Sequence, residues 1–508
     1  DMDMKKQVQN HIRWSRYGDR NEISLQEAQM RTFNNFIWRF AQTEGNYNFS
    51  SGSRGKGNLS SEANPYFLFP QIYNFRYNIF SSEWPVANRV IELYLQKKSE
   101  NGGWERQING ISNNEKAVLL LEKRTFKELL VDMELRNLQN NIVGQEASRL
   151  FARAEINMGV EAFRDSLYSL LKRNTFLNIK FENMLDTLGE ISRTDIRSLL
   201  GEWEKTTPLP FYSLGEPTLT KITNKGGEEF FVLKMLISNN SDYDGIIHMD
   251  IRKDGWWYQP LEDPRAKTKI EMPAHTSKEF VSVWEDQIRN VEINTMVSGN
   301  LPNIISQDIN NVKQERNKIV KDSIYILPES SFDLPGEIIV DNEDSTLFIL
   351  SAPPIVGLLP KWLDEVEETP FKYSGISWWR PPLQWTATTN DRYYGKYIRS
   401  AFVIKSGDGS QTATWKVPVP EVGQYDLYYH VFKDDELRWN NNLQGEYHFK
   451  VKYGSEVEDA YVNLRKANEG WEQLGSYYFD SDTIRVVLTD ECKLRSVTAD
   501  AVKIVKRY

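Results

Sequence analysis

The spacing of apolar positions changes along the chain, and the changes mark modules. Up to about residue 215 the apolar residues recur at threes and fours. Between Glu115 and Leu138 the series Phe126, Leu129, Leu130 and Met133 has this spacing, which predicts helix. Leu150, Ala154 and Met158 form one stripe, and Phe163, Leu167, Leu170 and Leu171 form another. Gly159 separates them, and glycine readily takes the left-handed conformation that closes a helix. Ser192-Arg193-Thr194-Asp195 before Ile196 and Leu199 has the layout of a capping box, with Asp in place of Glu. Pro208 and Pro210 stop the helical region.

From Thr218 the period is two. Phe231, Leu233, Met235 and Ile237 alternate with Phe230, Val232, Lys234 and Leu236, and Asn224-Lys225-Gly226-Gly227 has the composition of a hairpin turn. Ile247, Met249 and Ile251 alternate with His248 and Asp250, and Val291 and Ile293 continue the pattern. A small Ig-like β-sandwich is expected, ending near Asn303. Asp308 to Lys321 is polar and reads as a linker with some helix. Beyond Gly336 strands are expected at 338–340, 347–350, 412–417, 425–431, 447–453, 471–479, 483–488 and 501–505. Their spacing, with Gly and Asp at the turns, points to a jelly-roll-like sandwich. The organisation expected is a mostly α domain over 1–215, a sandwich over 216–305, a linker over 306–335 and a second sandwich over 336–508.

A chain of 508 residues has room for about three domains at roughly 150 residues each. Lys and Arg number 62 against 71 Asp and Glu, a formal charge of −9. That sign disfavours nonspecific attachment to nucleic acid or to an anionic membrane. The single cysteine, Cys492, excludes an intrachain disulfide and a thiolate metal cluster, and no signature of an activated thiol surrounds it. Asp1-Met2-Asp3-Met4 is polar and acidic, unlike a signal peptide, and is expected to be an artificial start or a cut within a longer protein. The most apolar stretch, Leu347 to Pro360, is too short to span a bilayer, so any membrane anchor is expected outside this chain.

The candidate chemistry is sparse. Ser50-Ser51-Gly52-Ser53-Arg54-Gly55-Lys56-Gly57 resembles a phosphate cradle only loosely: no Ser or Thr follows Gly55-Lys56 and no apolar strand precedes it, so a loop is the simpler reading. The histidines are His11, His248, His275, His430 and His448; no H-E-x-x-H pairs any two of them on one helix. His430 and His448 have the option of meeting across neighbouring strands, although ordinary strand positions explain both. His248 and Asp250 share one strand face. Asp341-Asn342-Glu343-Asp344 offers oxygens to calcium but lacks the glycine and distal glutamate of a calcium hand. Asp434-Asp435-Glu436 reads as a solvated loop, and a carboxylate pair of glycosidase type is a matter of tertiary geometry. The clearest signal is aromatic. Trp256, Trp257, Trp378, Trp379 and Trp385 are candidate ligand contacts through stacking, weighed against a role as core or interdomain plugs. No cofactor and no metal is expected.

Two resemblances add to this. Gly144-Gln145-Glu146-Ala147, Met158-Gly159-Val160-Glu161-Ala162-Phe163, Phe176-Leu177-Asn178, Phe181-Glu182-Asn183-Met184-Leu185, Leu200-Gly201-Glu202-Trp203 and Pro208-Leu209-Pro210 resemble the helical tail of the M1 aminopeptidase (gluzincin) catalytic domain. The next module, closing at Leu301-Pro302-Asn303, is similar to the β module that follows in that family. Glu83-Trp84-Pro85-Val86-Ala87-Asn88-Arg89 and Asn113-Asn114-Glu115-Lys116-Ala117 are similar to M1-like domains attached to bacterial membrane transport proteins of Bacteroidetes type. The family would place its zinc ligands within residues 25 to 100, which hold no histidine, so the resemblance implies a gluzincin fold without its metal. Tyr394-Gly395, Tyr397, Ala413-Thr414-Trp415-Lys416-Val417-Pro418, Gly423-Gln424-Tyr425-Asp426-Leu427-Tyr428, Gly470-Trp471-Glu472-Gln473-Leu474-Gly475 and Ala499-Asp500-Ala501-Val502-Lys503 resemble the golvesin / xanthan-lyase carbohydrate-binding-like domain. There Asp500 is suited to fix a turn by accepting backbone hydrogens.

Together these imply a non-catalytic, extracytoplasmic bacterial docking protein for a peptide, glycan or partner subunit. It would be the soluble part of a larger membrane-transport-associated protein, with no nucleic-acid partner. The rival expectations are the tail of an M1 metallopeptidase whose metal site lies outside this chain, a glycan-active enzyme, and a structural spacer.

Overall fold

The computed structural model describes residues 5, 8–12, 24–42, 77–95, 103–174, 177–223, 226–253, 259–261, 263–309, 311–316, 320–329, 332, 336–351, 371–377, 380–433 and 445–507. The glycine-rich stretch 48–64, Asn224, Lys225 and the acidic run 434–436 lie outside these residues. The described helices are α1 (Leu25–Gln42), α2 (Ala87–Leu95), α3 (Gly103–Asn109), α4 (Asn113–Lys123), α5 (Phe126–Val131), α6 (Gln139–Met158), α7 (Val160–Arg173) and α8 (Phe181–Ser192). The chain is a multidomain mix of helices and many β-sheets, largely β in its C-terminal half. Two compact units are formed, one by residues 1–98 and 164–191, the other by 99–163 and 192–508.

In the first unit, β1 (Tyr77–Phe80) and β2 (Leu177–Lys180) pair in parallel. Helix α2 buries Val90, Ile91, Tyr94 and Leu95 along one face. Asn88 on its first turn accepts the backbone N–H of Ile79 at 2.8 Å, joining helix to strand.

The second unit begins with short helices whose boundaries follow from their caps. Ser112 and Glu115 form a capping box at α4, and Thr125 and Glu128 another at α5. The apolar series from Glu115 to Leu138 is therefore split: Phe126 and Leu129 are buried, whereas Met133 stands 70% exposed. Each box satisfies two N-terminal amides locally, which makes a new helix start cheaper than continuation. Gly159 closes α6 as expected, with φ +88 and its N–H on the Glu155 carbonyl. The expected box at 192–195 is not formed. Arg193 takes φ +55, Asp195 accepts the Ser198 amide at 3.2 Å, and residues Arg197–Glu204 make a 3-10 helix.

The middle module has the strands β3 (Tyr212–Leu214), β4 (Thr218–Thr223), β5 (Glu229–Asn239), β6 (Gly245–Lys253), β7 (Gln259–Pro260), β8 (Lys267–Met272), β9 (Thr276–Trp284), β10 (Ile288–Asn294), β11 (Ile304–Asp308), β12 (Val312–Arg316) and β13 (Ser323–Pro328). One sheet runs β11-β10-β6-β7 with β8 on β6, the other β12-β4-β5-β9-β13 with β3 on β5. Their facing sides bury Leu233, Met235 and Ile237 against Ile247, Met249, Ile251, Val291 and Ile293, as the period of two requires. The polar stretch expected as a linker over 306–335 instead carries β12 and β13 and the end of β11. The polar composition of β12 is that of an edge strand, which needs no continuous apolar face. Helix α6 packs on β8, with Lys269 paired to the buried Glu155 and Arg153 3.6 Å from Glu271.

The C-terminal module has β14 (Glu337–Val340), β15 (Phe348–Leu350), β16 (Thr386–Thr389), β17 (Ser400–Lys405), β18 (Thr412–Pro418), β19 (Gly423–Val431), β20 (Glu446–Tyr453), β21 (Glu456–Asn463), β22 (Gly470–Phe479), β23 (Thr483–Thr489), β24 (Ser496–Ala499) and β25 (Val502–Lys506). Sheets β14-β25-β19-β22 and β15-β18-β23-β20-β21 enclose one core around Trp415, Tyr425, Tyr429, Phe449 and Phe479, and a third sheet runs β16-β17-β24. Strands β16, β17, β21 and β24 were not anticipated from the alternation.

Helices, middle module and C-terminal module meet at one point. Glu115 is fully buried; Oε1 accepts Arg106 Nη1 at 2.8 Å and the Asn303 amide at 2.9 Å, and Oε2 accepts the Ser112 amide at 2.6 Å. Beside it Ile111, Leu301, Tyr373 and Ala387 form a small core. Thr389 donates its hydroxyl to the Gly110 carbonyl at 2.6 Å. Gly110 has φ +80, and a Cβ there would stand 2.4 Å from the Ser374 nitrogen, so only glycine fits.

Candidate functional site

Strand β19 shows how the sequence builds the site. Tyr425, Leu427, Tyr429 and Val431 point into the core, so Asp426, Tyr428 and His430 point out. On this outer face Trp471 of β22 lies opposite His430, and Tyr428 lies between Gln473 of β22 and Lys503 of β25. The register slips between Leu427 and Tyr428, where β22 carries an extra residue at Leu474-Gly475. That bulge keeps Trp471 and Gln473 outward while Tyr477 and Phe479 stay in the core.

The rings make one cluster. Trp471 is half-buried, 5.2 Å from the His430 ring and 5.1 Å from that of Tyr394 between centroids. Lys503 Nζ stands 4.9 Å from the Trp471 centroid and 5.4 Å from that of Tyr428, held by Glu337 at 3.1 Å. Cation and ring attract through the ring quadrupole. His430 Nδ1 lies 2.8 Å from Asp500 Oδ2. Asp500 is fully buried and also accepts the Tyr394 amide at 3.1 Å. The tyrosine loop is thereby tied to the sheet from 106 positions away, rather than a local turn being closed. Burial pushes the Asp500 carboxyl up from its ordinary range, against the pull of His430 and Arg399. Burial likewise draws the Arg399 guanidinium down, while Asp391 and Asp500 pull it back up. Further along the face Asp426 accepts Gln473 at 3.0 Å and Arg507 at 2.8 Å, and Tyr478 stands 60% exposed. The face thus offers aromatic surface flanked by donors and acceptors that neighbouring groups already hold in place.

Of the five tryptophans singled out from the sequence, Trp256, Trp257, Trp378 and Trp379 lie outside the described residues. Trp385 is half-buried against the C-terminal core, and its indole N–H is buried without a partner among the described residues. Trp471, Tyr428, His430 and Lys503 were legible as strand positions, and Tyr394 only as part of a family resemblance, but not as a group; the outward parity of Tyr428 and His430 was the available signal. His430 and His448 do not meet. They belong to different sheets, and His448 stacks on Tyr461 with Asp459 at 2.7 Å and Glu491 at 3.3 Å from its nitrogens. His248 is half-buried, and burial first, then Lys269, lowers its pKa to about 4. Burial raises the Cys492 thiol, opposite to what a reactive thiolate needs.

The acidic run 341–344 is spent on the fold. Glu343 accepts Lys372 at 2.6 Å, Tyr373 at 3.1 Å and the Ser400 hydroxyl, and Asp344 accepts the Asp341 amide at 3.0 Å. Among the described residues no group of three or more His, Cys, Asp or Glu is placed to hold a metal ion. Burial, then the charges of Asp500, Glu343 and Asp344, hold the Asp341 pKa well above its ordinary 3.8. A carboxyl raised in the fold contributes stability that is complete below about 3.8 and lost as pH rises through the folded value. Asp341→Asn is therefore expected to raise the melting temperature at pH 7, with the gain shrinking as the pH is lowered towards 4. An unchanged or lower melting temperature at pH 7 would contradict it.

Residues 381–506 match the Golvesin C-terminal domain. The site lies within this Golvesin C-terminal domain except for Glu337, whose strand β14 completes the sheet from outside the matched span. The M1-like resemblance over 140–212 has no such support. Among curated proteins no match is found. Among solved structures, TmCBM61 in complex with beta-1,4-galactotriose is 14% identical over 34% of this chain and 86% of its own, with a TM-score of 0.13. Bacteroides uniformis beta-glucuronidase is 10% identical over 62% of this chain, at a TM-score of 0.18. The match spans only 32% of that enzyme's length. Sulfolobus turreted icosahedral virus gives 9% identity, 60% and 97% coverage and a TM-score of 0.13. These likenesses are too distant to bear on function. Among the described residues no helix is long and apolar enough to cross a membrane.

Proposed function

We propose that the chain is a non-catalytic docking protein of the bacterial cell envelope, working outside the cytoplasm, and that the outer face of β22-β19-β25-β14 binds a glycan. One observation carries the reading: Trp471 is held half-exposed at the end of that face by Tyr394, His430 and Lys503. Sugars present apolar C–H faces and a rim of hydroxyls. A fixed indole matches the first, and Gln473, Tyr428 and Lys503 match the second. The helical residues 140–212 enter this reading as a metal-free, M1-like scaffold of a larger membrane-associated protein. Peptide or subunit docking uses the same face.

Glycan-array screening followed by calorimetry tests it. Trp471→Ala removes a central aromatic anchor, which costs about 2 kcal/mol, or roughly thirtyfold in Kd. Trp471 is half-exposed, so the fold is expected to survive, as circular dichroism would check. No glycan bound by the wild type, or equal binding by the variant, would refute the reading.

A second reading, a glycan-active enzyme, is favoured by one feature. A buried carboxylate orients His430 through Nδ1, which leaves Nε2 on the outer face, the arrangement of a general base. Product analysis of the bound oligosaccharide distinguishes the two: turnover lost in His430→Ala supports the enzyme, and intact oligosaccharide supports docking.

A further inference from the structure

Strand β13 is an outer strand of its sheet, paired among the described residues with β9 alone. Its sequence is Ser-Ile-Tyr-Ile-Leu-Pro, without a charge. Ile324 is 54% exposed, Tyr325 51%, Ile326 72% and Leu327 40%. Alternation places Ile324 and Ile326 on one face and Tyr325 and Leu327 on the other, and among the described residues both faces stay exposed. The opposite edge of the same sheet, β12, reads Val-Lys-Gln-Glu-Arg. Charges of that kind defend an exposed edge against pairing with another chain, and β13 has none.

We infer that β13 pairs antiparallel with β13 of a second copy about a two-fold axis through Tyr325. The alternation of outward amides allows only registers that shift by two residues. With the axis at Tyr325, Ile324 faces the partner's Ile326, Tyr325 faces the partner's Tyr325 and Ser323 faces the partner's Leu327. β-Branched and aromatic cross-strand pairs are favourable. Just beyond the strand, Lys321 then faces the partner's Glu329, and the two-fold axis makes this pair twice; both residues are exposed, and the Glu329 carboxylate, which accepts Asn240 at 2.9 Å and lies 2.8 Å from His275 Nδ1 in its own chain, is held at the strand end. Moving the axis to Ile324 would set Asp322 against the partner's Ile326 and Lys321 against the partner's Leu327. Moving it to Ile326 would set Glu329 against the partner's Ser323 and leave the apolar strand out of step. The register with matched charges is thus the register with matched apolar side chains, which is the mark of a self-complementary edge.

Sedimentation velocity of the full chain up to about 100 µM tests this. The wild type is expected to dimerise reversibly, and Ile326→Lys, which places charge on an exposed position, to weaken the dimer at least about tenfold. Lys321→Glu is expected to weaken it as well, and Lys321→Glu with Glu329→Lys to restore it. A wild type that stays monomeric, or a dimer indifferent to Ile326→Lys, overturns the inference. A double reversal no stronger than Lys321→Glu overturns the register.

Discussion

Glu115→Ala is expected to cost about 3–5 kcal/mol of the stability of the second unit. The carboxylate is sealed from solvent and accepts from Arg106, the Ser112 amide and the Asn303 amide. Alanine would leave the Arg106 charge buried to within 11% exposure, with no counter-ion, and two amides without acceptors. An orphaned charge and orphaned donors cost far more than the net worth of the bonds that satisfied them. The effect is expected to cross modules, since Asn303 lies just before β11 of the middle module and Ser112 at the start of α4. In calorimetry the variant should melt earlier, and the helical and β transitions should separate. Glu115→Gln, which keeps an acceptor oxygen and the side-chain volume, should lose less. A Glu115→Ala variant within about 1 kcal/mol of the wild type would show that the junction is held by the Ile111, Leu301, Tyr373 and Ala387 core instead.

Asp500→Ala is expected to be comparably severe, about 3–5 kcal/mol, in the C-terminal module. Asp500 receives the His430 ring and the Tyr394 amide and lies in the field of the buried Arg399. Removing it takes one of two carboxylates from the buried Arg399, which keeps Asp391, and takes an anchor from both ring-bearing partners of Trp471. Denaturant unfolding followed by tryptophan emission reads the loss, because Trp415 donates its indole N–H to the Asp500 carbonyl. Asp500→Asn keeps an acceptor for the Tyr394 amide but gives up the charge facing Arg399, so its loss should be smaller. Equal stability of all three forms would refute the assignment. Ligand affinity should fall in both variants even where they remain folded, since His430 and Tyr394 would no longer be fixed beside Trp471.

Much of this molecule is written in local pattern. The strand expected over 425–431 is formed, and its period of two puts Tyr425, Leu427 and Tyr429 in the core and Tyr428 and His430 on the other face. Gly159 marked the end of α6. Two capping boxes, Ser112 to Glu115 and Thr125 to Glu128, were present as S-x-x-E and T-x-x-E and split a stretch that apolar spacing alone would join. Where the linker expectation failed, the decisive contact was distant. The linker over 306–335 became strand because β4 and β9 offered open edges to β12 and β13, and nothing within Val312–Arg316 or Ser323–Pro328 names those partners.

The sequence by itself determined which residues face inward, because helix and strand periods are properties of neighbouring residues and burial follows them. It could not determine which distant residues meet. Glu115 finds Asn303 188 positions away, Asp500 finds Tyr394 106 positions away, and Trp471 finds His430 only through the β19–β22 register. Those meetings are decided by how sheets pair and modules pack, since a carboxylate or an indole attracts many partners and only the tertiary fold brings one of them within a few ångströms.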